Sequence, residues 1–267
     1  MSKLNNTLHN IRTIDEMARR SKRINRLHPL VKLCVTVFYM ILVVSFDRYH
    51  LIGLMGMMIY PYLLFELGEI SLKDALCRLH VVLPVVCMVG LLNPVFDTEP
   101  VGRLGGITIT SGMLSMCTLM LKGILTVLSA YLLIATTTIE EICYALRLLR
   151  LPKLFVTQVL LIYRYISVLL SEADHMMNAY LLRAPNQKGV HFKAWGSLAG
   201  QLLLRSMDRA DELYQSMCLR GYRGEFYYGS GQKMSGIDFA YLIIWICVLF
   251  IFRRFPVFEL IGSFFVS

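Results

Sequence analysis

Apolar residues recur along this chain in long unbroken runs, not in the narrow stripes of a soluble fold. Runs nearly free of charge occupy Leu33–Phe46, Leu51–Phe65, Val81–Phe96, Ile107–Ile139 and Phe239–Phe252. A bilayer core takes roughly 20 apolar helical residues, fewer where flanking side chains reach the interface. With their flanks the runs predict spanning helices near 30–46, 50–66, 79–95, 107–137 and 237–255.

Between residues 138 and 236 the pattern changes, and charge is mixed with helical periodicity. Ile139–Leu149 predicts a short helix, with Ile142, Ala145, Leu146 and Leu149 on one face and Pro152 as its stop. A long helix follows over 153–183, and Pro185 with Gly189 breaks the chain. A second long helix covers 192–220. Its apolar positions Leu203, Met207, Ala210, Leu213 and Met217 recur every three or four residues, with Arg205, Arg209, Asp211, Glu212 and Gln215 on other faces. Gly221 is placed to terminate it. Leu154–Ser171 alone is ambiguous, because its length and hydropathy approach those of a span. Arg164 at its middle would cost at least ~2.5–3.5 kcal/mol at the bilayer centre. The preferred reading is a long apolar helix lying under the membrane against other helices, with a further span as the alternative.

The expected fold is therefore an all-α membrane protein, with about five transmembrane helices and a cytoplasmic lobe of long amphipathic helices. The expected domains are an N-terminal segment 1–29, four spans in 30–137, the helical lobe 138–236, a last span 237–255 and a tail 256–267.

Composition and charge sharpen this picture. Hydrophobic residues make up 56% of the 267 positions, charged residues 17%, and mean hydropathy is +0.58; a soluble domain carries about 25% charged residues. The net charge of +9 could suggest nucleic acid, but its placement argues for topology. With the N-terminus inside, 22 basic residues fall on the inner side and 4 (Arg48, Arg103, Arg253 and Arg254) on the outer, with Lys122 in the membrane. That is the bias of cytoplasmic segments. Arg253 and Arg254 run against it, although long stems at a helix end can snorkel. The basic, polar residues 1–29 delay the first apolar run too far for a secretory leader, so that run reads as a retained anchor.

Candidate chemistry is sparse. The chain has no phosphate-cradling G-x-x-x-x-G-K-[ST] loop, and no Ser-His-Asp or paired-carboxylate constellation stands out. Its seven cysteines are scattered without a C-x-x-C and read as small hydrophobes, and its six histidines lack ligand spacing, so no metal site is expected. Asp47, Glu66 and Asp238 sit at span ends. Lys122 is the one charge deep in a span, a possible intramembrane polar site. It reads as facing the bundle interior, paired with a carbonyl or with a hydroxyl such as Ser115, Thr118 or Thr126. A self-contained membrane enzyme or pore using Lys122 and Arg164 is the contrasting possibility.

The stretch YRYISVLLSEADHMMNAYLLRAP (163–185), with RSMDRADELYQSMCLRGYRG (205–224), resembles the transmembrane T component of energy-coupling factor transporters, the EcfT/CbiQ family. TTTIEEICYALRLLRLPKL (136–154) fits the same family, and IDEMARRSKRINRLHPLVKL (14–33) is most similar to its cobalt-type branch. The resemblance covers about residues 14–255 and implies a role. In that family two cytoplasmic coupling helices each end in Ala-Arg-Gly and dock into grooves on a pair of ATPase subunits. The matching residues are Leu182-Arg183-Ala184 and Leu219-Arg220-Gly221, with both arginines kept, both alanines replaced by Leu and the first glycine by Ala. The implied partners are two ATPase subunits, which bind ATP and magnesium, and a separate substrate-binding membrane protein. This chain would hold no cofactor and no substrate, would not bind nucleic acid, and would lie in a bacterial or archaeal cell membrane. The cobalt-like N-terminus points first to cobalt or nickel as cargo, and second to a vitamin.

The orientation is directly testable. A Gly189→Cys substitution in a cysteine-free variant should resist impermeant thiol reagents in intact cells and react once the membrane is opened. Rapid labelling from outside reverses the topology.

Overall fold

Helix α1 (Pro29–Val44) starts where the sequence supplies a start. Pro29 presets the first helical φ, and the His28 ring nitrogen Nδ1 accepts the Leu30 N–H at 3.3 Å. The structure is a computed structural model. It describes residues 27–47, 51–68, 70, 75, 79, 83–84, 86–91, 100–104, 107–184, 189–224 and 234–254. The predicted N-terminal segment up to residue 26, most of the third span and the tail from residue 255 lie outside the described residues. The described residues of Met17–Thr138 with Gln232–Ser267 form one compact unit, and those of Ile139–Gly231 belong to another.

In the first unit α1 packs against α4 (Ser111–Thr136) and α8 (Gly236–Arg254). Val31, Val35, Tyr39 and Val43, one turn apart, form a stripe on α1 that is almost wholly buried. The buried face of α4 is different: Ser111, Ser115, Thr118, Leu125, Ser129, Leu132 and Thr136 alternate small hydroxyl residues with leucines. Between helices in lipid there is no hydrophobic driving force, so small residues that allow close approach carry the packing. The hydroxyls of Thr118, Ser129 and Thr136 are satisfied within their own helix, on the carbonyls of Leu114, Thr126 and Leu132, each at 2.8 Å. At Gly123 the approach is tight, since a Cβ there would sit 3.1 Å from both methyls of Val86.

The second predicted span is not continuous. It is split into α2 (Leu51–Gly56) and α3 (Ile59–Gly68), which pack on α4. The cause is Pro61. It has no N–H, so the Met57 carbonyl four residues earlier loses its helical donor. The Tyr39 hydroxyl of α1 takes that place, donating to the Met57 oxygen at 3.0 Å. Tyr39 also stacks on Tyr60 with ring centroids 4.4 Å apart, and Tyr60 meets Trp245 of α8 edge-on at 4.8 Å. Tyr60 shares a 3.0 Å hydrogen bond with the Thr36 hydroxyl. The break in the helix is thus spanned by an aromatic ladder running from α1 to α8.

The fourth predicted span begins four residues later than expected. Ile107–Thr110 is strand β2, paired antiparallel with β1 (Pro100–Leu104), with Leu104 opposite Ile107 and a register irregularity between Pro100 and Gly102. The alternating β-branched Ile-Thr-Ile-Thr suits a strand, and hydropathy alone runs straight through it. Apart from this hairpin the regular elements among the described residues are helical, so the chain is an all-α membrane protein in class. By length and composition α4, α8 and α6 (Lys153–Arg183) could each cross a bilayer; α1 and the broken stretch Gly53–Gly68 are apolar but shorter.

The second unit consists of α5 (Ile139–Leu148), α6 and α7 (Phe192–Leu219), with α5 packed on α6 and α6 on α7. Two expected faces shift. On α5 the buried positions are Cys143 and Ala145, and Leu149 lies beyond the helix end, exposed. On α7 the half-buried side carries Ala194, Leu198, Leu202, Leu213 and Met217, leaving Leu203 and Met207 exposed. The straight line through Leu203 and Met217 drifts, because a seven-residue repeat on a helix of 3.6 residues per turn rotates by about 20° per heptad.

Removing the Tyr39 hydroxyl should orphan a buried carbonyl. Tyr39→Phe is expected to lower stability in detergent by about 1 kcal/mol. Pro61→Ala restores the missing N–H, so the Tyr39→Phe penalty should largely vanish in the Pro61→Ala background. Equal penalties in both backgrounds, read by thermal unfolding, would contradict this account of the break.

Candidate functional site

Each long helix of the second unit ends in an exposed leucine followed by an arginine. Leu182 is 83% exposed and Leu219 is 90% exposed, and Arg183 and Arg220 are exposed beside them. Singly exposed leucines are ordinary on a surface; what sets these two apart is that each lies beside an arginine at the end of a long helix. Arginine beside them supplies a five-donor planar fork suited to carboxylates.

The two ends are built differently. At α7 the Tyr222 N–H reaches back to the Met217 carbonyl at 3.0 Å and the Gly221 N–H to the Cys218 carbonyl at 2.9 Å. This is the double closure of a Schellman turn, with Gly221 at φ +82. Arg220 is therefore held at a locked helix cap, as the sequence position of Gly221 predicts. At α6 the Ala184 N–H bonds to the Tyr180 and Leu181 carbonyls, and Ala184 has φ −128, which any residue adopts. No left-handed residue is needed, so alanine serves where the resemblance leads one to expect glycine. Pro185 follows in the sequence, and the residue before a proline is biased away from helical backbone.

Between the helices lies a crevice of about 500 Å³, lined among others by His175, Tyr180, Arg183, Gln201 and Arg205. Arg205 of α7 pairs with Glu172 of α6, tying the helices together. Arg209 and Glu212 approach within 3.7 Å on the exposed surface, a pair that contributes little. The third helix end, that of α5, closes with the same double turn, the Leu151 N–H on Leu146 and the Arg150 N–H on Arg147, but here Arg150 sits at φ +62. A side chain in that region costs roughly 1 kcal/mol. Burial, and then the charge of Glu140, push the Cys143 thiol above its usual range, consistent with a packing role.

In the first unit Lys122 donates to backbone carbonyls at the C-terminal end of α1, to Val44 at 3.1 Å and to Phe46. The Thr126 hydroxyl bonds the Lys122 carbonyl, not its amine. Arg253 donates to the Ser45 carbonyl at 2.9 Å and stacks over Phe46 at 4.3 Å. Arg164 is exposed on α6. Sequence reasoning missed Lys32, which is 5% exposed and donates to the Thr136 carbonyl at 3.0 Å, and the burial of Asp238, 6% exposed. The available signal was a charge at the very edge of each apolar run.

The chain matches the model of the CbiQ family, described as cobalt transport protein, over residues 20–228. The chain belongs to the CbiQ family. Relatives agree. An uncharacterized protein of Methanocaldococcus jannaschii is 25% identical over 244 residues, 88% of this chain and 83% of that one. The nickel permease LarQ of Lactiplantibacillus plantarum is 30% identical over 123 residues, 45% of this chain and 44% of the permease. A protein provisionally described as the fused cobalt transport protein CbiMQ, from Methanocorpusculum labreanum, is 31% identical over 118 residues, 43% of this chain and 20% of its own length. The CbiQ match includes both leucine–arginine helix ends and stops before α8. As a CbiQ-family chain the protein is a membrane transport component.

The glycine at the α7 end makes a specific demand. Gly221→Ala keeps ample space around the residue but forces an alanine to φ +82, which costs about 1 kcal/mol. Hydrogen exchange at the amides of residues 221 and 222 should accelerate several-fold. Gly196→Ala, within α7 and equally uncrowded, should slow exchange in that helix or leave it unchanged. Unaltered exchange in Gly221→Ala would show that the cap does not depend on glycine.

Proposed function

We propose that this chain is the energy-coupling membrane component of an energy-coupling factor importer. It passes ATP-driven motion from two ATPase subunits to a separate substrate-binding membrane protein. The observation that carries the reading is the pair of long helices in one unit, each ending in an exposed Leu-Arg followed by a small residue. Arg183 and Arg220 insert into acidic grooves, one on each ATPase subunit, and Leu182 and Leu219 are covered there. Ala184 and Gly221 let the helix ends come close. The N-terminus and residues 138–236 face the cytoplasm, and ATP with magnesium is bound by the partners. The basic residues of 138–236 support that orientation. The cargo is a divalent transition metal ion, cobalt or nickel, which the names of the relatives support.

Charge reversal tests the docking residues. Truncating one partner of a buried, hydrogen-bonded charge pair costs about 2–5 kcal/mol, and reversal places like charges together. Arg183→Glu with Arg220→Glu should leave membrane insertion intact, abolish recovery of the ATPases in a pull-down and abolish metal uptake. The single alanine substitutions should be partial, with Arg220→Ala the more damaging because its helix end is the locked one. Recovery of the ATPases at wild-type yield by the double variant would remove these residues from the docking role.

A further inference from the structure

The chain leaves the first unit after Thr138 and returns to it at Gln232. Inside that unit both crossings are tied to one place, the first turn of α1. On the outgoing side the Lys32 amine donates to the carbonyl of Thr136, the last residue of α4, at 3.0 Å. On the returning side Asp238, in the first turn of α8, accepts the His28 N–H at 2.9 Å through one oxygen and the Ser235 N–H at 2.8 Å through the other. Four of these residues are buried, His28 at 2% exposed, Lys32 at 5%, Thr136 at 4% and Asp238 at 6%, and Ser235 is exposed.

We infer that Lys32 and Asp238 are positioning residues for coupling, which fix the two exits of the chain from the membrane unit to the start of α1. A buried amine and a buried carboxylate are expensive to desolvate, and an apolar pair of equal size would pack at lower cost. What a lysine adds is a directional bond to a helix terminus, whose carbonyls carry partial negative charge and have no donor of their own. Asp238 does the same for N–H groups at the opposite kind of terminus. With both crossings held by one turn, movement of residues 137–138 or 234–235 is passed to the start of α1. This rests on the coupling role proposed above. Lys32 and Asp238 touch neither ATP nor cargo in that scheme; they act by holding the backbone.

The test uses Lys32→Met, Lys32→Arg and Asp238→Asn in the assembled transporter, with three readouts: ATPase recovery in a pull-down, ATP hydrolysis and metal uptake into vesicles. Lys32→Met and Asp238→Asn should keep recovery at the wild-type level and hydrolysis within about twofold, while uptake falls at least tenfold. Lys32→Arg, which retains a donor, should recover much of the uptake. Wild-type uptake in Lys32→Met overturns the inference. So does joint loss of all three readouts, since that marks a general structural role. In the isolated chain, hydrogen exchange at amides 137–140 should rise in Lys32→Met, with amides 220–222 unchanged as the control for folding. Unchanged exchange at 137–140 overturns the clamp whatever the chain does. Failure of the wild-type chain to recover any ATPase counts instead against the coupling role, and the exchange result then decides the clamp separately.

Discussion

Helices α1 and α4 hold one another through lysines that each reach the C-terminal carbonyls of the other. Lys32, early in α1, reaches the last carbonyl of α4, and Lys122 of α4 reaches the carbonyls where α1 finishes. The two helices must therefore run antiparallel, each supplying a cation to the negative terminus of the other. In water such a bond would matter little, because free C-terminal carbonyls find solvent. In a bilayer they do not, and every helix that ends there needs a donor. Arg253 of α8 adds a second cation at the α1 terminus, through Ser45 and the Phe46 ring. The remaining packing hangs on this frame: small hydroxyl residues on α4 admit α1, α2 and α3, and the Tyr39–Tyr60–Trp245 ladder closes the bundle against α8.

The same accounting explains the irregular second span. Pro61 removes a donor from the Met57 carbonyl, and a tyrosine from a neighbouring helix supplies one. Irregular backbone at membrane depth is tolerable only where protein, not lipid, meets the freed group. Tyr39 is fully buried, so the break faces inward. In the lobe formed by α5, α6 and α7 the pairs Arg205–Glu172 and Arg209–Glu212 are both solvent-accessible, and Leu182 and Leu219 beside the two arginines lie uncovered.

Much of this could be read from the sequence. The apolar runs gave α1, α4 and α8 to within a few residues, and Pro152, Pro185 and Gly221 bounded the lobe's helices where local chemistry requires. Lys122 stood out as a charge inside a span and does bond carbonyls, but the carbonyls belong to another helix. No spacing rule on one helix could supply that partner. The split at Met57, the hairpin before α4 and the burial of Lys32 and Asp238 escaped for a related reason. Hydropathy averages over a window, whereas a missing N–H, an alternating Ile-Thr quartet or a buried terminus acts at single residues. The leucine–arginine ends of α6 and α7 were legible by resemblance. Their unequal backbone was not, since Ala184 and Gly221 differ by one methyl in sequence and by the sign of φ in structure.

That difference sets how the two helix ends can drift over evolutionary time. At residue 184 the backbone imposes no preference, so the side chain there can change with whatever surface it meets, and related chains are free to differ. At residue 221 the turn itself excludes nearly every side chain before any partner is considered; glycine is favoured, and asparagine is the next most tolerable. A lineage adapting to a new partner would therefore rewrite the α6 terminus first and leave the α7 terminus almost untouched.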